Sequence, residues 1–389
     1  MGLKEFLLGF IVLFINNLSL QAQGTALAGV VKMQKYGYQR DLDTLKGIEI
    51  RALGYFRNTE FFHPMELGRS QFGLQLNAFW KSNLKDNRRL EIGTAFNQQF
   101  GGRLLLFPHI ALVQFLGNHC KFGQIRFGSL SNPGHSLPEP IYNPAIPYIN
   151  PFEYGIQYIS QKTDLWMNWD QAIVFASPFK ETFVLGINQN IILLKNRDSS
   201  KSLLNKETGD IDIAYNFDAR FYALYRHVGG QIDMDESSVT GNRGHSAFQA
   251  SVSPVISIKR REQNISLKLP RYNYSCMQYF DPKSIFSEIA FGSGHLHSVS
   301  KNWNDWQFNV KSWVGKNWMA PFGQGIYQSY NPEDISVEKR ERSRFFIISS
   351  SFAGSSFGLN GFSLGYDAYY DRDLENWNTA FTFNFLMKI

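Results

Sequence analysis

The chain has 389 residues, 43% of them hydrophobic and with 34 Phe and 18 Tyr, yet its mean hydropathy is negative, which excludes a bundle of membrane helices. Two cysteines, Cys120 and Cys276, are too few for a disulfide scaffold. The net charge of +6 comes without a basic run interleaved with aromatics; Lys259-Arg260-Arg261 and Lys339-Arg340-Glu341-Arg342 read as a turn and a loop end, so no nucleic-acid partner is expected.

Residues 1–22 read as an export signal. Lys4 gives the positive start, residues 6–14 the apolar core, and Leu20-Gln21-Ala22 a small-residue cleavage site. The apolar run is interrupted by Asn16 and Asn17 too soon to span a bilayer as a helix. Residues 23–46 are expected to form an N-terminal periplasmic segment, and residues 47–389 a single membrane domain.

From residue 47 onward the side chains alternate with period two, the repeat of a β-strand. In 70–80, Phe72, Leu74, Leu76, Ala78 and Trp80 share one face, and Gln71, Gln75 and Asn77 the other. Residues 88–100, 210–222, 245–258 and 304–314 read the same way; in 104–115 and 120–128 the alternation slips. The chain closes on a hairpin, 359–370 and 377–389, with Phe381, Phe383, Phe385, Met387 and Ile389 on one face and Asn378, Thr382, Asn384 and Lys388 on the other.

Such aromatic faces need either a second covering sheet or lipid. Their recurrence along the chain favours lipid, and the fold expected is all-β: a transmembrane antiparallel up-and-down β-barrel of about sixteen strands in the outer membrane. With the first strand starting in the periplasm, the odd-numbered connections are together roughly twice as long as the even ones, the asymmetry such barrels show. The odd set includes 57–69, 129–152, 273–283 and 316–341. Residues 129–152 carry six prolines, and 316–341 carry Trp318, Phe322, Tyr327 and Tyr330. Either loop could constrict the lumen or stand outside as a binding surface.

The closing strand resembles the C-terminal assembly signal of bacterial outer-membrane barrels, with Ile389 where that signal usually has Phe or Trp. Phe56-Arg57-Asn58-Thr59-Glu60-Phe61-Phe62-His63-Pro64, followed by Gly68 and Gln71-Phe72-Gly73-Leu74-Gln75-Leu76, is similar to porin-like outer-membrane barrels of Bacteroidota-type Gram-negative bacteria. Leu165-Trp166-Met167-Asn168-Trp169-Asp170 and Ser177-Pro178-Phe179-Lys180-Glu181 add to the likeness. The resemblance implies a membrane barrel with a pore or surface role, and carries over no catalytic residue.

Alternation aims Glu49, Arg51, Arg89, Glu91, Arg126, Asp170, Asp210, Asp212, Asp218, Arg220, Lys268, Glu288, Asp305, Lys311 and Asp367 at the lumen, where charges of both signs would filter solutes. Trp166 and Trp313 have inward parity and are the candidate solute-stacking rings. His295-Leu296-His297-Ser298 brings histidine and serine together, but as an inter-strand connection on the periplasmic side it reads as an ordinary turn; the pair lacks a third metal ligand nearby. The function expected is therefore a porin-like channel for passive diffusion of small polar solutes, with lipid and solutes as partners. No enzyme activity, cofactor or metal is expected. The alternative is a closed or plugged barrel acting as an anchor or interaction platform through its long loops.

Overall fold

The computed structural model describes residues 47–388 except 118–121, 132–134, 173–180, 197–209, 230–242, 261–262, 269, 281–290, 321, 330–338 and 354–360. The expected export signal and periplasmic segment lie outside the described residues, as does Cys120. Seventeen strands are described: β1 Gly47–His63, β2 Glu66–Leu84, β3 Arg88–Gln99, β4 Leu104–Phe115, β5 Gln124–Ser129, β6 Tyr154–Ile159, β7 Thr163–Gln171, β8 Glu181–Asn196, β9 Asp210–Gly229, β10 Arg243–Arg260, β11 Gln263–Lys268, β12 Arg271–Phe280, β13 Phe291–Trp303, β14 Trp306–Lys316, β15 Arg342–Ala353, β16 Phe362–Asp371 and β17 Asn376–Lys388. One short helix, α1, covers Ile146–Ile149.

The strands pair antiparallel, and β1 pairs with β17 from Arg51↔Lys388 to Glu60↔Thr379, which closes the sheet and leaves no edge. Pieces β11 and β12 both pair with β10. They are one stave interrupted at Pro270, which has no N–H to give the ladder. Seventeen segments therefore make sixteen staves, the even number expected of a single-chain barrel. None of the described helices is long and apolar enough to cross a membrane; the closed antiparallel sheet has the architecture of a transmembrane β-barrel.

Alternation sorts the wall into two faces. On β2, Phe72, Leu74, Leu76 and Trp80 are exposed to the outside, while Gln71, Gln75, Asn77 and Lys81 are buried on the lumen side. On β17 the same split puts Phe381 and Phe385 outside, with Asn378 and Asn384 inside.

Two expected connections are instead wall. Residues 57–69 continue β1 and β2, which turn only at 64–65: along β1 the alternation runs on, with Arg57, Thr59, Phe61 and His63 buried inward and Phe62 facing out, and the ladder passes a bulge between Thr59 and Phe62. A 17-residue strand exceeds the ~10 residues a bilayer needs, so this hairpin stands above the membrane. Residues 273–280 likewise belong to β12, and His295–Ser298 lie inside β13.

Both long loops fold into the barrel. In 130–153, Leu137, Ile141 and Tyr148 are buried; in 317–341, Trp318, Met319, Ala320, Ile326 and Tyr327 are fully buried, and the main apolar cluster of the molecule joins both loops to the wall. Polar bonds tie the loops to each other. The Trp318 indole donates to the Pro140 carbonyl (3.1 Å) and the Tyr327 hydroxyl to Glu139 (2.8 Å).

Candidate functional site

The inward charges of the periplasmic half neutralise one another. Glu49 accepts from Lys81 (2.6 Å) and pairs with Arg51. Glu91 is held by Arg89 and Arg126, each at 2.8 Å, with His109 at 3.3 Å. Lys311 pairs with Glu139 of the inserted loop at 2.6 Å, and Asp367 lines the same chamber. Arg220 is half-buried on β9, and Asp170 is exposed beside a bulge at the end of β7. Asp305 sits in the turn 304–305 instead of on a strand, since β14 begins only at Trp306. The side chains of Asp210, Asp212, Asp218 and Lys268, and all of Glu288, lie outside the described residues.

Neither tryptophan is open to solute, which corrects the expected stacking role. The face of Trp166 is covered by His135, with ring centroids 3.6 Å apart. Trp313 is fully buried, edge-on to Trp318 and Tyr327, and its indole donates to the Ser343 hydroxyl at 3.0 Å. Rings of inward parity in a filled lumen become core, because the loops supply the apolar partners that solute would otherwise provide.

His135 anchors loop 130–153. Its two ring nitrogens meet Asp164 (2.9 Å) and Glu153 (2.6 Å). Burial pushes the imidazole down, but the two carboxylates outweigh it and hold it up at about 9. Burial likewise pushes Glu139 up, and the Lys311 ammonium more than reverses this, leaving the carboxyl below its usual range. At the extracellular rim, Asp371 accepts both Arg340 nitrogens (2.8 and 3.1 Å) and lies 3.3 Å from His63, clamping loop 317–341 between β1 and β16.

The outer wall carries a second polar cluster. On β13, Leu296 packs inward and Ser298 lines the internal chamber, so His295 and His297 face outward, toward lipid. The His295 Nδ1 pairs with the Tyr274 hydroxyl at 2.9 Å and the His297 Nδ1 with the Tyr272 hydroxyl at 2.8 Å. Across the ladder, His297 stands directly opposite Ser312 of β14, which is exposed; Cβ atoms of such pairs lie ~5 Å apart. Gln278 and Ser293 extend the same stripe upward as register partners.

Sequence reasoning joined the histidines to Ser298 because they are adjacent. Adjacency in a strand puts side chains on opposite faces, and the serine that shares their face is Ser312, a cross-strand neighbour that chain order does not reveal. Trp303 marks the periplasmic end of β13. At ~3.3 Å per residue and a tilt of ~40°, His297 and His295 stand about 15 and 20 Å up an apolar band ~25 Å tall, in its outer-leaflet half.

Above the stripe, on the same outward parity, lies a cationic rim. Arg344 stands opposite Val314 and Arg342 opposite Lys316, and Arg342 and Lys316 are exposed. Arg344 also pairs with Asp373, its Nε donating at 2.6 Å. Groups of three or more metal-ligating side chains are absent among the described residues.

No curated protein matches the sequence. Solved structures that resemble it are outer-membrane barrels. A loop L8 deletion mutant of OmpT, an outer membrane protein of Vibrio cholerae, has 8% identity and a TM-score of 0.45, covering 87% of this chain and 99% of that one. OprD from Pseudomonas aeruginosa has 10% identity and a TM-score of 0.41, covering 88% and 93%; Acinetobacter baumannii OccAB2 has 9% identity and a TM-score of 0.44, covering 88% and 98%. The Lipid A 3'-O-deacylase-type family matches residues 40–389. That family is named for an enzyme, which overturns the expectation of a barrel without chemistry. The chain belongs to the lipid A 3'-O-deacylase-type family.

Proposed function

We propose that the protein hydrolyses an acyl ester of a phosphorylated outer-leaflet lipid at the outward stripe of β12, β13 and β14. The observation that supports this reading is the placement of His297 opposite Ser312 on a face otherwise given to lipid contact. Polar side chains on the lipid face of a barrel cost stability and need a reason to be there. In the reaction, His297 Nε2 takes the Ser312 Oγ proton as Oγ attacks the ester carbonyl. The tetrahedral intermediate collapses, the imidazolium returns the proton to the departing lipid hydroxyl, and water then releases the fatty acid from the serine. The base role requires the tautomer in which Nδ1–H donates to the Tyr272 oxygen, so a phenol does the orienting that a carboxylate does elsewhere.

The rim supplies substrate selection. Lys316 and Arg342 lie four residues above the Ser312–His297 level, about 13 Å along the strand, at the height of headgroup phosphates. The family's name points to lipid A, and an acylated, phosphorylated lipid of that kind would rest its chains on the apolar wall and its phosphates on these cations.

The test is acyl release from lipid A in detergent micelles, read by mass spectrometry. Ser312→Ala and His297→Phe should each lower the rate by about 10²–10⁴-fold, and the inward Ser298→Ala should leave it unchanged. A Ser312→Ala protein as active as wild type would remove the proposed nucleophile.

Passive diffusion of small polar solutes is the second reading. It is favoured by the polar lumen side chains Gln71, Gln75, Asn77 and Asn97, and it requires loops 130–153 and 317–341 to leave the lumen. Stepwise single-channel openings of the intact protein in a planar bilayer would support it, and a silent folded barrel would count against it. The alternative of a closed or plugged barrel is favoured in its plugged form by the described apolar side chains of those loops, which are directed into the barrel; a platform role would use whatever part of the loops remains outward.

A further inference from the structure

Below the inserted loops the lumen encloses a chamber of about 270 Å³. Its roof is Leu137, Pro138, Glu139, Pro144 and Tyr148 of loop 130–153; its walls come from β1 and from β12 to β17. Gln307 lies one residue inside the periplasmic start of β14 and Ser351 near the periplasmic end of β15, while Tyr369 lies near the opposite end of β16, so the chamber reaches from the periplasmic part of the barrel up to the inserted loops. It lies on the inner side of the wall whose outer side carries the lipid-facing stripe: Leu296, Ser298 and Lys311, chain neighbours of His297 and Ser312, line it.

Three properties of the lining define what fits. Among the described lining residues, Arg57 and Lys311 are matched by Glu139 and Asp367, so a ligand with net charge would upset a balanced set. Two amide oxygens, Gln307 Oε1 and Asn309 Oδ1, are buried without a hydrogen-bond donor, and buried acceptors of this kind are ordinarily satisfied. Ser298, Ser349 and Thr382 add hydroxyls to the lining, and Leu137, Pro138, Pro144 and Leu296 add apolar surface. The volume corresponds to about nine waters, the bulk of one six-carbon sugar and too little for two.

We infer that this chamber is a binding site for a single neutral monosaccharide, entering from the periplasmic end. Hydroxyl groups supply the donors that Gln307 and Asn309 lack and accept from Lys311 and Arg57, and the C–H face of the ring rests on the proline-rich roof. The site is separate from the proposed hydrolase stripe, and either reading can fail without the other.

The experiment is isothermal titration of the full, folded protein in detergent with glucose, galactose and ribose, using lysine and glutamate as charged probes of similar size. Saturable binding of at least one sugar, with none for the charged probes, is expected. Gln307→Leu combined with Asn309→Leu should weaken that binding at least about tenfold, since each leaves sugar hydroxyls without an acceptor. Should the double variant not fold, the isosteric Thr382→Val makes the same comparison with one contact. Absence of saturable binding for all three sugars, preference for a charged probe, or undiminished affinity in the folded variant would overturn the inference. Lipid hydrolysis by the double variant should match wild type.

Discussion

The His135 imidazole lies flat on the Trp166 indole, with centroids 3.6 Å apart and planes within 3°, while carboxylates grip both of its ring nitrogens. A loop residue has thus been made the cationic centre of a wall-to-loop clasp, with the indole face adding a cation–π contact.

This clasp should be sensitive to base. The folded imidazole titrates at about 9 against an ordinary 6.5, so its stabilisation is complete below about pH 6.5 and is lost as pH rises through about 9; the difference is on the order of 3 kcal/mol. Loop 130–153 should loosen above pH 9, seen as faster proteolysis or as new conductance. His135→Phe keeps the stacking and loses the charge, and should show the loosened behaviour at pH 7 with no further step at high pH.

Two glycines are required by the rings that cover them. A Cβ on Gly186 would lie 2.1 Å from the Trp166 ring, and one on Gly294 2.1 Å from the Trp313 ring. Both rings are buried and cannot retreat. Gly186→Val and Gly294→Val should each cost about 1–3 kcal/mol or more, read as a lower temperature for loss of the compact gel form. Gly101→Ala, with nothing near its Cβ but a positive φ of 84°, should cost only the backbone strain of about 1 kcal/mol.

Breaking one half of the Lys311–Glu139 pair should be worse than removing both charges. Glu139→Gln leaves the Lys311 ammonium with a neutral partner in a buried setting, at a cost of about 3–5 kcal/mol. Glu139→Gln with Lys311→Met should recover a large part of it. Thermal midpoints of the three proteins decide the point; equal loss in single and double variants would mean that the pair contributes little.

Arginine on the lipid face should block assembly. Phe383, opposite Phe56 and Leu364 on the outward parity, is a suitable position, and Phe383→Arg should cost roughly 2–4 kcal/mol. Normal yield of that variant in the membrane fraction would contradict the assigned face.

Much of the wall was legible in the sequence because a barrel strand writes its two environments into alternate residues. Phe72, Leu74 and Trp80 against Gln71, Gln75 and Asn77 is a pattern that needs no tertiary information. What failed were inferences about ends and partners. Polar Arg57–Arg69 looks like loop by composition, yet it forms a hairpin above the bilayer whose inward side is buried by loop 317–341. Trp166 and Trp313 were placed on the correct face, but their covering groups, His135, Trp318 and Tyr327, come from segments whose folding inward no periodicity announces. The stripe was not legible: His295 and His297 read as a turn but lie inside β13, and Ser312 becomes their neighbour only through strand register.

Leu296 and Trp313 press on the loops inside the barrel, and their chain neighbours His297 and Ser312 face lipid outside. One sheet, a single residue thick, therefore has its catalytic candidates seated on the back of its own stopper. A hollow cylinder would breathe under the lateral pressure of the bilayer and let the two side chains drift apart; a filled one behaves as a post. Filling the lumen would then be less a means of blocking traffic than of holding a reactive surface still, and a change deep in the interior, such as Trp313→Ala, should be felt by the lipid on the other side.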